Sequence, residues 1–240
     1  MLKILAIIPA RGGSKRILKK NIKDFCGQPI IKYSIDAALN SNIFDEIIVS
    51  TDDIEIANFA KNNNAQVPFM RSEETSNDHA MLADVIKEVL LEYSKIGKKF
   101  DYFCCILPTA LFVNPKKILD SFELLKNFDG DSVVSVVKFS YPIQRALKIE
   151  NNYLKMIWPE NLNKRSQDLI SSYHDAGQFY WMKIKSFLEQ KTFFAIKSLP
   201  FELEETEVQD IDTVDDWKLA EIKYDFLKNK ILKSEKVKHE

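Results

Sequence analysis

Two short segments of this sequence carry residues whose types and spacing suit phosphate chemistry. The first, Pro9-Ala10-Arg11-Gly12-Gly13-Ser14-Lys15-Arg16, sets two of the chain's six glycines side by side after an apolar run. Glycine lets successive backbone N–H groups turn together towards an anion, and Arg11, Lys15 and Lys20 add positive charge around that turn. Neither common glycine-rich nucleotide loop is present. The Gly-x4-Gly-Lys-Ser/Thr spacing is absent, and Gly-x-Gly-x-x-Gly lacks its third glycine. The second segment is Asp210-Ile211-Asp212. In an extended backbone residues two apart project to the same side, so both carboxylates can approach one hard cation such as Mg2+. The pair also admits a structural reading, since Asp212 precedes a helical pattern and could cap it. Asp215 and Asp216 fall in the first turn of that helix, where negative charge suits the dipole.

Arginine is sparse, with five in the chain (Arg11, Arg16, Arg71, Arg145 and Arg165), and its planar fork marks candidate phosphate or carboxylate partners. Asn21 offers both a donor and acceptors. Arg71 follows a strand-like run and by itself reads equally as a surface cation. Arg16 reads either as a further phosphate ligand or as an exposed neighbour. His174 stands without a partner histidine or cysteine, a setting in which a satisfied structural role is the commoner one. Cys104-Cys105 lies in an apolar run and reads as core, as do Phe193-Phe194, Trp217 and Tyr224.

The elements that must position these residues alternate. Ile4 to Ile8 is a continuous apolar run, as a strand buried on both faces requires. Pro29 suits the first turn of a helix to about Asn40. Glu46 to Ser50 reads as a strand, after which Asp52 or Asp53 caps a helix carrying Ile54, Ile56, Ala57 and Ala60. Ala65 to Met70 is a third strand candidate. Leu82 to Tyr93 reads as a helix, Asp101 to Leu107 as a strand, Pro115 to Phe128 as a helix and Ser132 to Val137 as a strand. This order predicts an α/β fold with a mostly parallel sheet covered on both faces, and ligands bound beyond the carboxyl ends of the strands. From Ser140 to about Tyr173 the rhythm breaks, and Ala146–Ile149 and Tyr153–Ile157 around Asn151-Asn152 read as an inserted hairpin, a lid or subunit contact. Ala176 to Trp181 and Thr192 to Ile196 return to strand character around a short helix near Ile184 to Glu189. Thr213 to about Lys230 reads as a long helix, and residues 231–240 as a frayed tail. The whole of 1–240 reads as one domain, with no convincing linker.

Composition narrows the function classes. The chain has 240 residues, 45% hydrophobic and 29% charged, enough to bury a sizeable core. Its 34 basic and 35 acidic residues nearly cancel, so no global field draws nucleic acid or anionic lipid. No apolar run approaches the ~20 residues that span a bilayer, and the opening strand leads into a glycine/basic loop instead of a signal-peptide cleavage site. Three cysteines, two of them adjacent and none at metal-ligand spacing, place the protein in a reducing cytoplasm.

The loop Pro9 to Lys15, with Lys20-Asn21-Ile22, resembles the nucleotide-binding signature of the cytidylyltransferases that activate sialic-acid-like nine-carbon sugars. The resemblance continues through Phe25-x-Gly27-x-Pro29-Ile30, Val49-Ser50-Thr51-Asp52-Asp53-x-Glu55-Ile56-Ala57 and Val67-Pro68-Phe69-x-Arg71. Arg165-Ser166-Gln167-Asp168-Leu169 and Tyr173-His174-Asp175-Ala176-Gly177-Gln178-Phe179-Tyr180-Trp181 look most like the pseudaminic acid branch of that family. Two positions depart from the wider pattern. Leu18 stands where proline is usual, and Leu107-Pro108-Thr109-Ala110 stands where sialic acid enzymes often show Gln-Pro-Thr-Ser, which removes a polar group that could hold that sugar.

The resemblance implies a Rossmann-like nucleotidyltransferase fold and attack of the sugar's anomeric hydroxyl on the α-phosphate of CTP, releasing pyrophosphate and yielding a CMP-sugar for surface or flagellar glycosylation. It implies that Arg11, Lys15, Lys20, Asp210 and Asp212 are catalytic, and that Ala10, Arg11, Gly12, Gly13, Ser14, Lys20, Asn21 and Arg71 bind the nucleotide. The Asp210/Asp212 pair becomes the Mg2+ site. Arg165, suited to the sugar carboxylate, joins Tyr173, His174, Gln178 and Tyr180 in the sugar pocket. The resemblance, together with the inserted hairpin, implies a homodimer in which the insertion crosses to the other subunit.

Overall fold

A computed structural model describes residues 2–237, with side chains described as far as residue 230. A six-stranded sheet carries the fold. Its strands are β1 (Ile4–Pro9), β4 (Glu46–Ser50), β5 (Tyr102–Ile106), β6 (Ser132–Lys138), β9 (Tyr173–Lys183) and β10 (Ser198–Glu202). Their order across the sheet is β10-β6-β9-β5-β1-β4. β1 pairs in parallel with β4 and β5, and β10 in parallel with β6, whereas β9 runs antiparallel between β5 and β6. Two small antiparallel pairs stand apart, β2 (Asp24–Phe25) with β3 (Gln28–Pro29) and β7 (Leu147–Glu150) with β8 (Tyr153–Met156).

The helices are α1 (Ile31–Ser41), α2 (Ile54–Asn62), α3 (Glu73–Ser76), α4 (Leu82–Lys95), α5 (Pro115–Asn127), α6 (Ile184–Gln190) and α7 (Val214–Val237). The uninterrupted apolar run of β1 is explained by its two neighbours. Ile4, Ala6 and Ile8 point into a core shared with α1, α2 and α5. Leu5 and Ile7 point into a second core, with Ile86, Val89 and Tyr93 of α4 and Phe187 of α6. Alternate residues of one strand thus serve opposite faces. A third cluster joins Ile17, Phe25 and Ile30 to Leu111, Phe112, Ile211 and Trp217, and so ties the loop after β1 to the start of α7. Cys104 and Cys105 are buried on opposite faces of β5.

Several expected elements are corrected. Ala65–Met70 contributes one bridge, Ile48 to Gln66, and then stops, because Pro68 has no N–H with which to continue the ladder. Pro29 lies in β3 opposite Asp24, two residues ahead of α1, so it is not in the helix's first turn. Thr192–Ile196 is a bent segment, and the strand follows it at Ser198. Phe193 and Ala195 do point into the core, but the Thr192 hydroxyl takes the amide of Phe194 and Gln190 takes that of Ile196, bonds that local turns make in place of a ladder. Phe194 itself is exposed. The expected tail at 231–240 begins within α7, whose backbone reaches Val237; residues 238–240 lie outside the described residues.

The hairpin forms where its pattern placed it. Asn151 and Asn152 both take left-handed backbone (φ 52° and 65°), the conformation a two-residue type I′ turn demands and asparagine tolerates. Its strands, however, are exposed almost throughout.

Candidate active site

The carboxyl ends of β1 and β5 flank a cleft of about 240 Å3. One wall is the loop after β1, with Arg11, Ser14, Lys15, Arg16, Lys20 and Asn21; the floor is Leu107-Pro108-Thr109 after β5; the opposite wall is Asp210 and Asp212. Residues some two hundred positions apart thus face one another.

The loop's shape has local causes. Ala10 prolongs the pairing of β1 through its amide to Ser50 O (2.9 Å) and is fully buried. The Gly12 amide donates to Asp52 Oδ1 at 2.9 Å. A Cβ on Gly12 would lie 2.8 Å from the Cβ of Asp53, so no other residue fits there without a shift of the backbone. Asp53 cannot yield cheaply, because its Oδ1 caps α2 by accepting from the amides of Glu55 (2.7 Å) and Ile56 (3.1 Å). Gly13 has open space around it instead. The Ser14 amide turns back to Gly12 O at 2.8 Å.

On the opposite wall the Asp-x-Asp spacing works as extended backbone predicts. Ile211 is fully buried in the third cluster, which is worth ~1.5–3 kcal/mol and leaves its two neighbours at the cleft. Thr213 and Asp216 then form a reciprocal cap on α7. Asp216 Oδ2 accepts from the amides of Asp212 (3.1 Å) and Thr213 (2.7 Å), and Thr213 Oγ1 accepts from the Asp216 amide (3.2 Å). Capping therefore falls to Thr213 and Asp216, and Asp212 keeps its carboxylate for the cleft.

Charge crosses between the walls. Lys20 Nζ donates to Ile211 O at 2.5 Å and lies 3.6 Å from Asp212. Arg16, left open by sequence, pairs with Asp212 Oδ1 at 2.8 Å. The Asp210 carboxyl is raised above its ordinary 3.8, first by desolvation and then by the charge of Asp212, against the lowering effect of Lys20. A carboxylate whose charge is disfavoured where it stands, with a second carboxylate two residues on and two cations beside them, forms a donor set suited to a hard divalent ion. Among the described residues no three acidic, histidine or cysteine side chains gather for a metal, so such an ion would complete its shell with phosphate oxygens and water, as Mg2+ commonly does.

Asn21 is 4% exposed. Its Nδ2 donates to Arg11 O at 2.9 Å, while its Oδ1 is buried with no partner in the protein. Arg71 is buried outside the cleft lining, with Nε on Ser50 Oγ at 3.1 Å and a second bond to Ser50 O. Burial lowers its pKa, opposed by the charges of Asp52 and Glu88, and its fork braces the end of β4 from which Asp52 and Asp53 reach the loop.

The expected sugar residues spread over a wider area. Tyr173 and His174 begin β9 beside the carboxyl end of β6, both exposed, with the His174 ring against Phe139 (4.9 Å between centroids). Between Asp175 and Tyr180 the strand bulges, so that 176–179 oppose the single Ser135. Gln178 is buried by the bulge, its carbonyl accepting from the Leu107 amide at 2.9 Å and its Oε1 without a protein partner. Tyr180 is a core residue that donates from its hydroxyl to Asp175 Oδ2 at 2.6 Å; burial raises its pKa. Arg165 lies on the inserted segment, exposed and paired through its fork with Asp168 (2.8 and 3.0 Å), outside the cleft lining of this chain. Sequence reading missed Thr109 and Asp78. Thr109 stood within the quoted Leu107-Pro108-Thr109-Ala110 without being given a role, while nothing in its sequence neighbourhood marked Asp78.

The family model described as "Cytidylyltransferase" matches residues 5–233. The chain is 41% identical over 224 residues to the "Pseudaminic acid cytidylyltransferase" of Campylobacter jejuni subsp. jejuni serotype O:2, covering 93% of this chain and 97% of that protein. It is 34% identical over 223 residues to the "CMP-N,N'-diacetyllegionaminic acid synthase" of Legionella pneumophila, covering 92% and 95%. Among solved structures, a CMP:2-keto-3-deoxy-manno-octonic acid synthetase complexed with CTP superposes with a TM-score of 0.66 at 17% identity, over 95% of this chain and 99% of that one. At that identity the likeness is one of fold.

Proposed function

Because this chain belongs to the cytidylyltransferase family, we propose that it transfers CMP from CTP to the anomeric hydroxyl of pseudaminic acid and releases pyrophosphate. The observation that carries this reading is the cleft itself, with a cationic loop on one wall facing the Asp210 and Asp212 carboxylates on the other. The near full-length match to a pseudaminic acid relative supports the choice of sugar.

Arg11, Lys15 and Lys20 neutralise the triphosphate, and the loop at Gly12, Gly13 and Ser14 cradles it. Asn21 presents its unpartnered Oδ1 to the nucleoside. Asp210 and Asp212 would hold Mg2+, which when bound supplies charge neutralisation at the phosphates and acidifies the attacking hydroxyl. Such transfer depends on in-line positioning and electrostatics more than on covalent chemistry, which is what these side chains provide. Tyr173 and His174 at the start of β9 and Gln178 in its bulge border the sugar, with Tyr180 holding the bulge through Asp175.

Arg165 reads as the carboxylate ligand of the sugar, delivered by the inserted segment. In one chain the β7–β8 hairpin exposes Leu147, Ile149, Tyr153 and Leu154, each more than half accessible. A lone two-stranded hairpin is marginal in water, which supports a homodimer in which each insertion packs on the other copy and carries Arg165 to its cleft. A cytoplasmic site fits the three unpaired cysteines, and among the described residues no helix is long and apolar enough to cross a membrane. The product would serve surface or flagellar glycosylation.

The test is pyrophosphate release from CTP and Mg2+ with pseudaminic, N-acetylneuraminic and legionaminic acids offered in parallel. Release with pseudaminic acid alone supports the reading. Release with another acid alone moves the sugar assignment, and silence with all three refutes the reaction.

A further inference from the structure

Asp78 has no part in the reading above, yet it holds two of the cations on which that reading depends. Its Oδ1 accepts from Arg11 Nη1 at 2.9 Å, its Oδ2 is paired with Lys15, and Arg11 also donates to Asn77 O at 3.3 Å. The segment carrying Asp78 is largely self-contained. Ser76 Oγ donates to Ser72 O, the Asn77 side-chain Nδ2 to Glu74 O, and the His79 N–H to Asn77 Oδ1. Glu88 of α4 anchors its beginning at Ser72 and Thr75. Its tip meets the phosphate loop through Asp78 and Asn77.

We infer that Asp78 is an internal competitor for the anion site, a specificity determinant that occupies Arg11 and Lys15 in the free enzyme and yields them to the triphosphate. It re-pairs with both as pyrophosphate leaves. This deepens the assignment of the loop to CTP and rests on it. A bare pair of adjacent cations would accept any multivalent anion. A single carboxylate already seated on both raises the threshold, so that a triphosphate with several charges displaces it while inorganic phosphate does so poorly. The side chains of Arg11 and Asp78 are 38% and 42% exposed, so water and salt weaken their attraction and the exchange is affordable. Two such solvated pairs correspond to roughly twofold to tenfold in anion affinity.

The experiment is calorimetric titration of pyrophosphate and of CTP into wild type, Asp78→Asn and Asp78→Glu, first in EDTA and then with Mg2+. Asp78→Asn keeps the shape and removes the charge, and is expected to bind both ligands roughly twofold to tenfold tighter. The same factor should appear as stronger product inhibition by pyrophosphate. Asp78→Glu restores the charge and should stay near wild type. Unchanged or weaker binding by Asp78→Asn, or equal tightening by both variants, overturns the inference and leaves the loop assignment standing. Failure of wild type to bind either ligand in both buffers overturns the loop assignment, and the inference with it.

Discussion

Adjacent glycines in the phosphate loop should respond very differently to the same added methyl group. At Gly12 a Cβ would sit 2.6 Å from Asp53 Oδ2 and 2.8 Å from Asp53 Cβ. Side-chain rotation can move the oxygen but not the Cβ, which is fixed to the backbone, so either the loop or the start of α2 must shift. The shift strains the cap in which Asp53 Oδ1 serves Glu55 and Ile56, and losing such a cap costs ~0.5–2 kcal/mol. For a chain of this length that corresponds to a fall in Tm of roughly 1–8 °C. At Gly13 a Cβ meets nothing within 4 Å, so Gly13→Ala should leave stability within about 0.5 kcal/mol of wild type. Urea and thermal denaturation of Gly12→Ala, Gly13→Ala, Asp53→Ala and the double variant Gly12→Ala/Asp53→Ala form the assay. If the clash acts through the cap, the Gly12→Ala cost shrinks in the Asp53→Ala background, with a coupling of ~0.5 kcal/mol or more. Equal melting of the two alanine variants, or full additivity in the cycle, would refute the reasoning.

Three further outcomes are expected. Asp210→Asn and Asp212→Asn should each reduce turnover in Mg2+ by about 100-fold or more, measured as pyrophosphate release, and near-normal rates in both would retire the metal assignment. Arg165→Ala should raise the sugar KM by about tenfold or more while leaving the CTP KM within about twofold, since a hydrogen-bonded charge contributes ~1.5–3 kcal/mol; an unchanged sugar KM removes Arg165 from the pocket. Asp216 has a folded pKa below its ordinary 3.8, first through the Thr213 hydroxyl and then the Thr213 amide, so its stabilisation is present above 3.8 and lost as pH falls through the folded value. Asp216→Asn should accordingly melt a few degrees below wild type at pH 7 and converge with it in acid, and a pH-independent difference would argue against the capping carboxylate.

Local physics was legible in the residues alone. Continuous apolar character marked β1 as buried on both faces, Asp52-Asp53 announced the start of α2, and Asn151-Asn152 announced a two-residue turn, because each depends on backbone sterics and hydrogen bonds within a few positions. The glycine/basic loop could be read as an anion site for the same reason, whereas the Asp-x-Asp pair admitted both a cap and a cation site until the family resemblance chose between them. Where the chain pairs over long distances, tertiary structure decided. Pro68 ended a strand that hydrophobicity favoured, and the bulge at 176–179 buried Gln178 while Tyr180 pointed into the core. Lys20 met Ile211 across 191 positions, and Asp78 met Arg11 across 67. Such meetings follow from the order of strands in the sheet and from which apolar residues, Ile211 above all, are drawn into a shared core. No periodicity in a single chain encodes that order locally, so the charges that oppose one another across the cleft became visible only once the sheet was assembled.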